Sequence, residues 1–185
     1  MNKMPLDVYR GVAQRAEQLV SPEQVAATCD AMAARLTALL GDKDPVVLCV
    51  MTGGIVPVGL LLPRLNFALR LDYAHATRYR GATQGGALEW LHRPTAIRGE
   101  HVLIIDDIFD EGITLDSLVT ACHEDGAASV TTAVLVEKER TRSVAYRPDV
   151  VGCLVPDRYV MGCGLDYKSY FRNASGIYAA ASEDV

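Results

Sequence analysis

No apolar run in these 185 residues reaches the roughly 18 that a membrane helix requires, so no membrane partner is expected. The opening stretch, MNKMPLDVYRGV, lacks the apolar core of a signal peptide, so export is not expected and the chain reads as cytoplasmic. Basic residues are in deficit, with 18 Lys and Arg against 23 Asp and Glu, a formal charge of -5. A phosphate backbone needs clustered Lys and Arg, so a nucleic-acid partner is not expected. The five cysteines (Cys29, Cys49, Cys122, Cys153, Cys163) form no C-x-x-C pair and are odd in number. They read as reduced core residues, not as disulfides or zinc ligands. The four histidines show no metal-ligand spacing either. No internal repeat, low-complexity tract or linker divides the chain.

Half of the residues are hydrophobic, enough for a sizeable core. Residues 1–15 read as an extension that docks late or stays mobile. Ser21-Pro22-Glu23-Gln24 is a helix start, with Ser as cap, Pro at the first helical position and Gln three residues after the cap; the helix is expected to reach about Leu40. Val46 to Met51 is a continuous apolar strand of the kind buried on both faces of a parallel sheet. Thr52-Gly53-Gly54 is a turn, and Ile55 to Leu69 reads as a helix. Leu71 to Arg80 and Ala87 to His92 suggest antiparallel strands joined by a mobile Gly-rich loop. Val130 to Glu137 and Val150 to Val155 are further strands. The expected fold class is α/β, a doubly wound, mainly parallel sheet flanked by helices, in one domain spanning 1–185 with a small hood from parts of 1–20 and 150–185.

The most informative run is VLIIDDIFDEGITL, Val102 to Leu115. Four apolar residues form a buried strand, which the adjacent carboxylates Asp106 and Asp107 are expected to end. A loop with Asp110, Glu111 and Gly112 leads through Ile113 and Thr114 into an amphipathic stretch, Leu115 to His123. Loop amides and a helix N-terminus can point at a phosphate, and the paired carboxylates can accept ribose hydroxyls or hold Mg²⁺ through water. An ordinary βα turn of a parallel sheet can also carry these residues.

This run resembles the phosphoribosyl-pyrophosphate (PRPP) signature of the type I phosphoribosyltransferases. The segment VPDRYVMGCGLDYKSYFR, Val155 to Arg172, resembles the hood motif of the hypoxanthine-guanine branch, and VLCVMTGG resembles its pyrophosphate strand and turn. The similarity covers about Ala16 to Arg172. It implies that the chain is an enzyme of purine salvage, transferring phosphoribose from PRPP to hypoxanthine or guanine with Mg²⁺ as cofactor. Asp110 would be the general base at the purine N7. Asp106 and Asp107 would bind the ribose hydroxyls, and residues 110–114 (Asp110, Glu111, Gly112, Ile113, Thr114) the 5′-phosphate. Thr52, Gly53, Gly54 and Arg172 would hold pyrophosphate, in a loop that carries a cis peptide in the family. Lys138 would recognise the 6-oxo group, Tyr159 stack on the base, and the Val160 backbone read its pyrimidine edge. Asp166 would line the base site and ligate Mg²⁺, joined by Asp106 and Asp107. Arg78-Tyr79 would belong to the closing loop. A homodimer or homotetramer is the expected assembly.

The sequence departs from the family pattern at several points. Thr52 stands for the usual Lys or Arg, Glu111 for Ser or Thr, and Ile113, Arg78 and Glu137 also differ. Two alternatives stay open, a xanthine-preferring transferase and a non-catalytic, nucleotide-sensing regulator of the same fold. The second would be expected to bind nucleic acid, which the acidic balance disfavours.

Overall fold

A computed structural model of the chain describes residues 3–78 and 88–185. The elements run α1 (Leu6–Arg15), β1 (Glu17–Val20), α2 (Pro22–Leu40), β2 (Val46–Val50), α3 (Ile55–Leu61), β3 (Arg70–Arg78), β4 (Leu88–His92), β5 (His101–Phe109), α4 (Ile113–Glu124), β6 (Ser129–Glu139), β7 (Val150–Pro156), β8 (Val160–Met161) and β9 (Ile177–Ala179). The main sheet has the order β4-β3-β2-β5-β6-β7. All its pairings are parallel except β3 with the edge strand β4.

Alternate residues of the central strands serve opposite cores. Val47, Cys49, Leu103 and Ile105 pack with α2 and α3, whereas Val46, Leu48, Val102 and Ile104 pack with α4. Helices therefore cover both faces, which is why β2 and the first part of β5 read as unbroken apolar runs. From β2 the chain turns outward to β3 and β4, then returns to β5 and turns the other way to β6 and β7. The β2–β5 junction is thus a topological switch point, and ligands of such sheets bind at the strands' carboxyl ends there. Both Thr52-Gly53-Gly54 and the acidic signature lie at that place.

The Ser21 capping box forms as read, with Gln24 Oε1 accepting from the Ser21 amide at 2.8 Å. Three expectations are corrected. The carboxylate pair does not end β5. Asp106, Ile108 and Phe109 continue the parallel register against Val134, Val136 and Glu137, and Phe109 is fully buried, so pairing and burial carry the strand past the charges. The helix read as Ile55 to Leu69 stops at Leu61 and becomes a single tight turn over Leu62–Arg64. Pro63 has no amide to continue the ladder, and its ring opposes the carbonyl four residues back. Residues 6–15 are a docked helix and not a loose extension. Met4 and Val12 share a buried cluster with Met161, Tyr167 and Phe171, and Tyr9 stacks on Phe171 with ring centres 4.3 Å apart.

The small sheet has the order β1-β9-β8 and draws on both ends of the chain. Its β8 end and the following turn face the carboxyl edge of the main sheet. Gly164, at φ 105°, comes so close that a Cβ there would lie 2.2 Å from the Gly53 carbonyl oxygen. Only glycine permits both that backbone conformation and that approach.

Candidate active site

The signature loop follows from a strand whose last residue, Phe109, is fully buried and a helix capped by glycine. Gly112 caps α4 at φ 82°, and a Cβ there would meet the Phe109 ring at 2.7 Å. The loop can therefore fold back tightly over Phe109. A concavity of about 290 Å³ is lined by residues 106–115. The α4 N-terminus opens toward it, where free amides and the helix dipole favour an anion.

Asp106 and Asp107 lie side by side at the end of the buried part of β5, with the Asp107 amide donating to Asp106 Oδ1 at 2.9 Å. Burial pushes the Asp106 carboxyl well above the ordinary carboxylate range, and the neighbouring Asp107 charge adds to the effect. Burial also raises the Asp107 carboxyl, against its hydrogen bond with Asp106 and the positive Arg172. Arg172 Nη1 stands 3.7 Å from Asp107 Oδ2, and its Nη2 lies 2.7 Å from Asp166 Oδ1. Asp166 Oδ2 accepts the Ser169 amide at 2.7 Å. One arginine thus bridges a carboxylate of the main sheet and one of the small-sheet segment.

The turn after β2 lies against the same pair. The Met51–Thr52 peptide is cis, the feature the resemblance implies for that loop. A Cβ on Gly53 would fall 2.1 Å from Asp107 Oδ2, so this glycine allows backbone and carboxylate to meet. Gly54 is equally confined, against the Val50 and Ile105 carbonyls. Thr52 itself is exposed.

Asp110 sits at the mouth of a second cavity of about 240 Å³, shared with Asp107, Lys138, Tyr159, Val160 and Asp166. Lys138 Nζ donates to Asp110 Oδ2 at 2.9 Å, and Arg140 Nη1 donates to Oδ1 at 2.6 Å. Burial alone would raise the Asp110 carboxyl; the hydrogen bonds from Lys138 and Arg140 outweigh it and hold the group below its ordinary range. Asp157 Oδ1 stands 3.8 Å from Lys138 and 3.7 Å from Arg140. Tyr159 is exposed on one side and braced on the other by the edge of Tyr167, with ring centres 5.3 Å apart at 75°.

Sequence reading missed Arg140, Arg142 and Asp157. Arg142 is buried and organises the site from beneath. Its Nε donates to the Asp110 carbonyl at 2.6 Å, its Nη2 to the Phe109 and Lys138 carbonyls, and its Nη1 pairs with Glu137 at 3.0 Å. Its guanidinium also lies over the Phe109 ring at 4.5 Å. The two arginines stand two apart in ERTRSV, a pattern that reads as solvated charge. The one available signal was two cations just after a strand that pairs with the acidic signature strand.

Most of the proposed residues meet around these two cavities: Asp106, Asp107 and residues 110–114 at the first, Lys138, Tyr159, Val160 and Asp166 at the second, with Gly53 and Arg172 against Asp107. Arg78 ends β3. Tyr79 lies outside the described residues. The carboxylates placed to hold Mg²⁺ would be Asp166 and the Asp106–Asp107 pair, and no cluster of three metal-binding side chains occurs among the described residues. Such a donor set suits Mg²⁺, which takes one or two carboxylates and completes its shell with water and substrate oxygens.

Residues 15–168 match the family described as "Phosphoribosyl transferase domain". A hypoxanthine-guanine phosphoribosyltransferase of Streptococcus pneumoniae is 31% identical over 157 residues, covering 84% of this chain and 87% of its own. A hypoxanthine-guanine-xanthine phosphoribosyltransferase of Tritrichomonas foetus is 35% identical over 144 residues, 77% of this chain and 79% of that one. The crystal structure of a hypoxanthine phosphoribosyltransferase from Staphylococcus aureus superposes with a TM-score of 0.85 at 27% identity, covering 90% of this chain and 92% of the other. The chain belongs to the phosphoribosyltransferase family. Within it, the relatives it resembles include further hypoxanthine-guanine phosphoribosyltransferases, from Lactococcus lactis and Bacillus subtilis.

Proposed function

We propose that the protein transfers a phosphoribosyl group from PRPP to hypoxanthine or guanine, giving the nucleoside monophosphate and pyrophosphate. The observation that carries this reading is the convergence of Asp110, Lys138 and Tyr159 on one cavity beside the phosphate-binding loop. The chain is read as one catalytic unit hooded by the small sheet.

The loop amides of residues 110–114, the Thr114 hydroxyl and the α4 N-terminus take the 5′-phosphate. Asp106 and Asp107 accept hydrogen bonds from the ribose hydroxyls. Thr52-Gly53-Gly54 and the planar fork of Arg172 orient the pyrophosphate. Asp166 and the Asp106–Asp107 pair would hold Mg²⁺, which when bound would supply charge neutralisation for the leaving pyrophosphate. Tyr159 stacks on the purine, the Val160 backbone reads its pyrimidine edge, and Lys138 donates to the 6-oxo oxygen. Asp110 takes or shares the N7 proton while N9 attacks the anomeric carbon. Most of the catalytic work is positioning and charge stabilisation in a closed site, and Arg78-Tyr79 belong to the segment proposed to close it.

A panel of hypoxanthine, guanine, xanthine and adenine with PRPP and Mg²⁺, followed by ultraviolet spectroscopy, tests the reading. Turnover of a 6-oxopurine supports it, and no turnover of any base overturns it. Xanthine belongs in the panel because the Tritrichomonas relative is named for it. A homodimer or homotetramer is the proposed assembly, supported by the uncovered Leu71, Tyr73 and Leu91 near the β3–β4 edge and measurable by sedimentation. The five cysteines are free thiols, which supports a reducing, cytoplasmic setting.

Glu111 brings a carboxylate to the rim of the phosphate loop. Facing a phosphate oxygen at about 4 Å, it would cost roughly 4 kcal/mol per unit charge at an effective dielectric near 20. Glu111 is exposed, and its charge acts on the Arg140 guanidinium. Its side chain is therefore expected to lean away from the phosphate and leave only its amide to the cradle. Glu111→Ser should change the KM for PRPP by only a fewfold, and added salt should narrow the difference. A tightening by an order of magnitude or more would show the carboxylate opposing the phosphate directly.

A further inference from the structure

Asp110 has two oxygens, and each is taken by a different cation. Oδ2 accepts from Lys138 and Oδ1 from Arg140. A purine N7 approaching the carboxylate therefore competes for an oxygen already in use. Lys138 has an alternative partner, because a 6-oxo oxygen bound in the same cavity can accept from its ammonium. Arg140 has no such partner on the base side. Its other neighbours are Asp157, at 3.7 Å from Nη1, and the charge of Glu111.

We propose that Arg140 is a positioning residue for the transfer: it keeps hold of Asp110 by Oδ1 while Lys138 turns from Oδ2 to the base, so that Oδ2 is left aimed at N7. The inference rests on the roles given above to Asp110 and Lys138.

Three observations favour this over a surface ion pair of no consequence. The contact is end-on: Nη1 meets Oδ1 while the Arg140 Nε is buried without a hydrogen-bond partner. A two-pronged grip would have closed both oxygens, whereas this grip leaves one for exchange. The backbone that carries Arg140 is also fixed relative to Asp110, since Arg142 ties the Lys138, Phe109 and Asp110 carbonyls together. Finally, Lys138 and Arg140 share Asp157 as a second carboxylate neighbour. That shared charge lets the ammonium move without leaving either cation in an uncompensated field.

The experiment is steady-state kinetics of Arg140→Gln and Arg140→Lys, with base and PRPP varied separately and melting temperatures measured alongside. The expected result for Arg140→Gln is a kcat reduced by about tenfold or more, since a misdirected catalytic group is costly, with the KM for PRPP within about twofold. Arg140→Lys, which keeps a cation within reach of Oδ1, should recover most of the turnover. Wild-type kcat in Arg140→Gln overturns the inference. So does equal loss in both variants with a matching fall in melting temperature, which would make Arg140 a folding residue. A wild type inactive toward every base would instead overturn the functional reading itself, so the two failures are distinguishable.

Discussion

Asp110→Asn is expected to lower kcat by about 10²–10⁴-fold, the range over which a positioned proton acceptor contributes. The KM for PRPP should stay within a fewfold, because the loop proposed to bind the phosphate would do so through its amides, and those the substitution leaves in place. The structure sharpens the expectation. Both Asp110 oxygens accept from cations, Lys138 at 2.9 Å and Arg140 at 2.6 Å. An asparagine offers one oxygen and one amide nitrogen, and the nitrogen cannot accept. One cation therefore loses its partner, and the basic group is gone. Some loss of thermal stability should accompany the loss of turnover, smaller for a half-exposed pair than for a buried one. The check is kcat and both KM values with a thermal melt. Turnover close to wild type in a folded variant would remove Asp110 from the role of base.

Lys138→Ala should act on the other substrate parameter. The lysine is largely buried, with 12% of its side chain exposed, and it faces the cavity shared by Tyr159 and Asp166. An ammonium is a donor only, so it matches a 6-oxo oxygen and meets a 6-amino group badly. A hydrogen bond to a charged group is worth about 1.5–3 kcal/mol, so the KM for hypoxanthine and guanine should rise by roughly tenfold or more. The KM for PRPP should move much less. Asp110 keeps its bond from Arg140 in this variant, so kcat should fall less than in Asp110→Asn. Unchanged base KM, or good use of adenine by the wild type, would contradict the assignment.

Local pattern made much of this architecture legible. The capping box at Ser21, the unbroken apolar runs of β2 and β5, and the glycine before α4 each depend on neighbours in the chain. The elements they specify formed, β5 with a later end than the one read for it. The exceptions were cases where a distant partner overruled the local signal. Two adjacent aspartates would ordinarily close a strand, yet β5 continues because Phe109 is buried and pairs opposite Glu137. The first residues carry too few apolar positions to announce a helix, and α1 is held by Phe171 and Met161 from the far end of the chain.

The same division runs through the site. The order of acidic signature, lysine-bearing strand and C-terminal motif was present in the sequence by itself, because the chemistry of each segment depends on residue types at short, fixed spacing. Which cations meet Asp110 was not. Lys138 and Arg140 lie 28 and 30 positions from it in sequence and reach it only because β5 and β6 pair in parallel register. Arg142 is a surface charge by pattern and a buried clamp in fact, since its partners are the Phe109, Asp110 and Lys138 carbonyls and a sequence does not show where carbonyls point. Spacing along the chain determines which groups are available; the register of the sheet and the closure of the small sheet over its edge decide which of them touch.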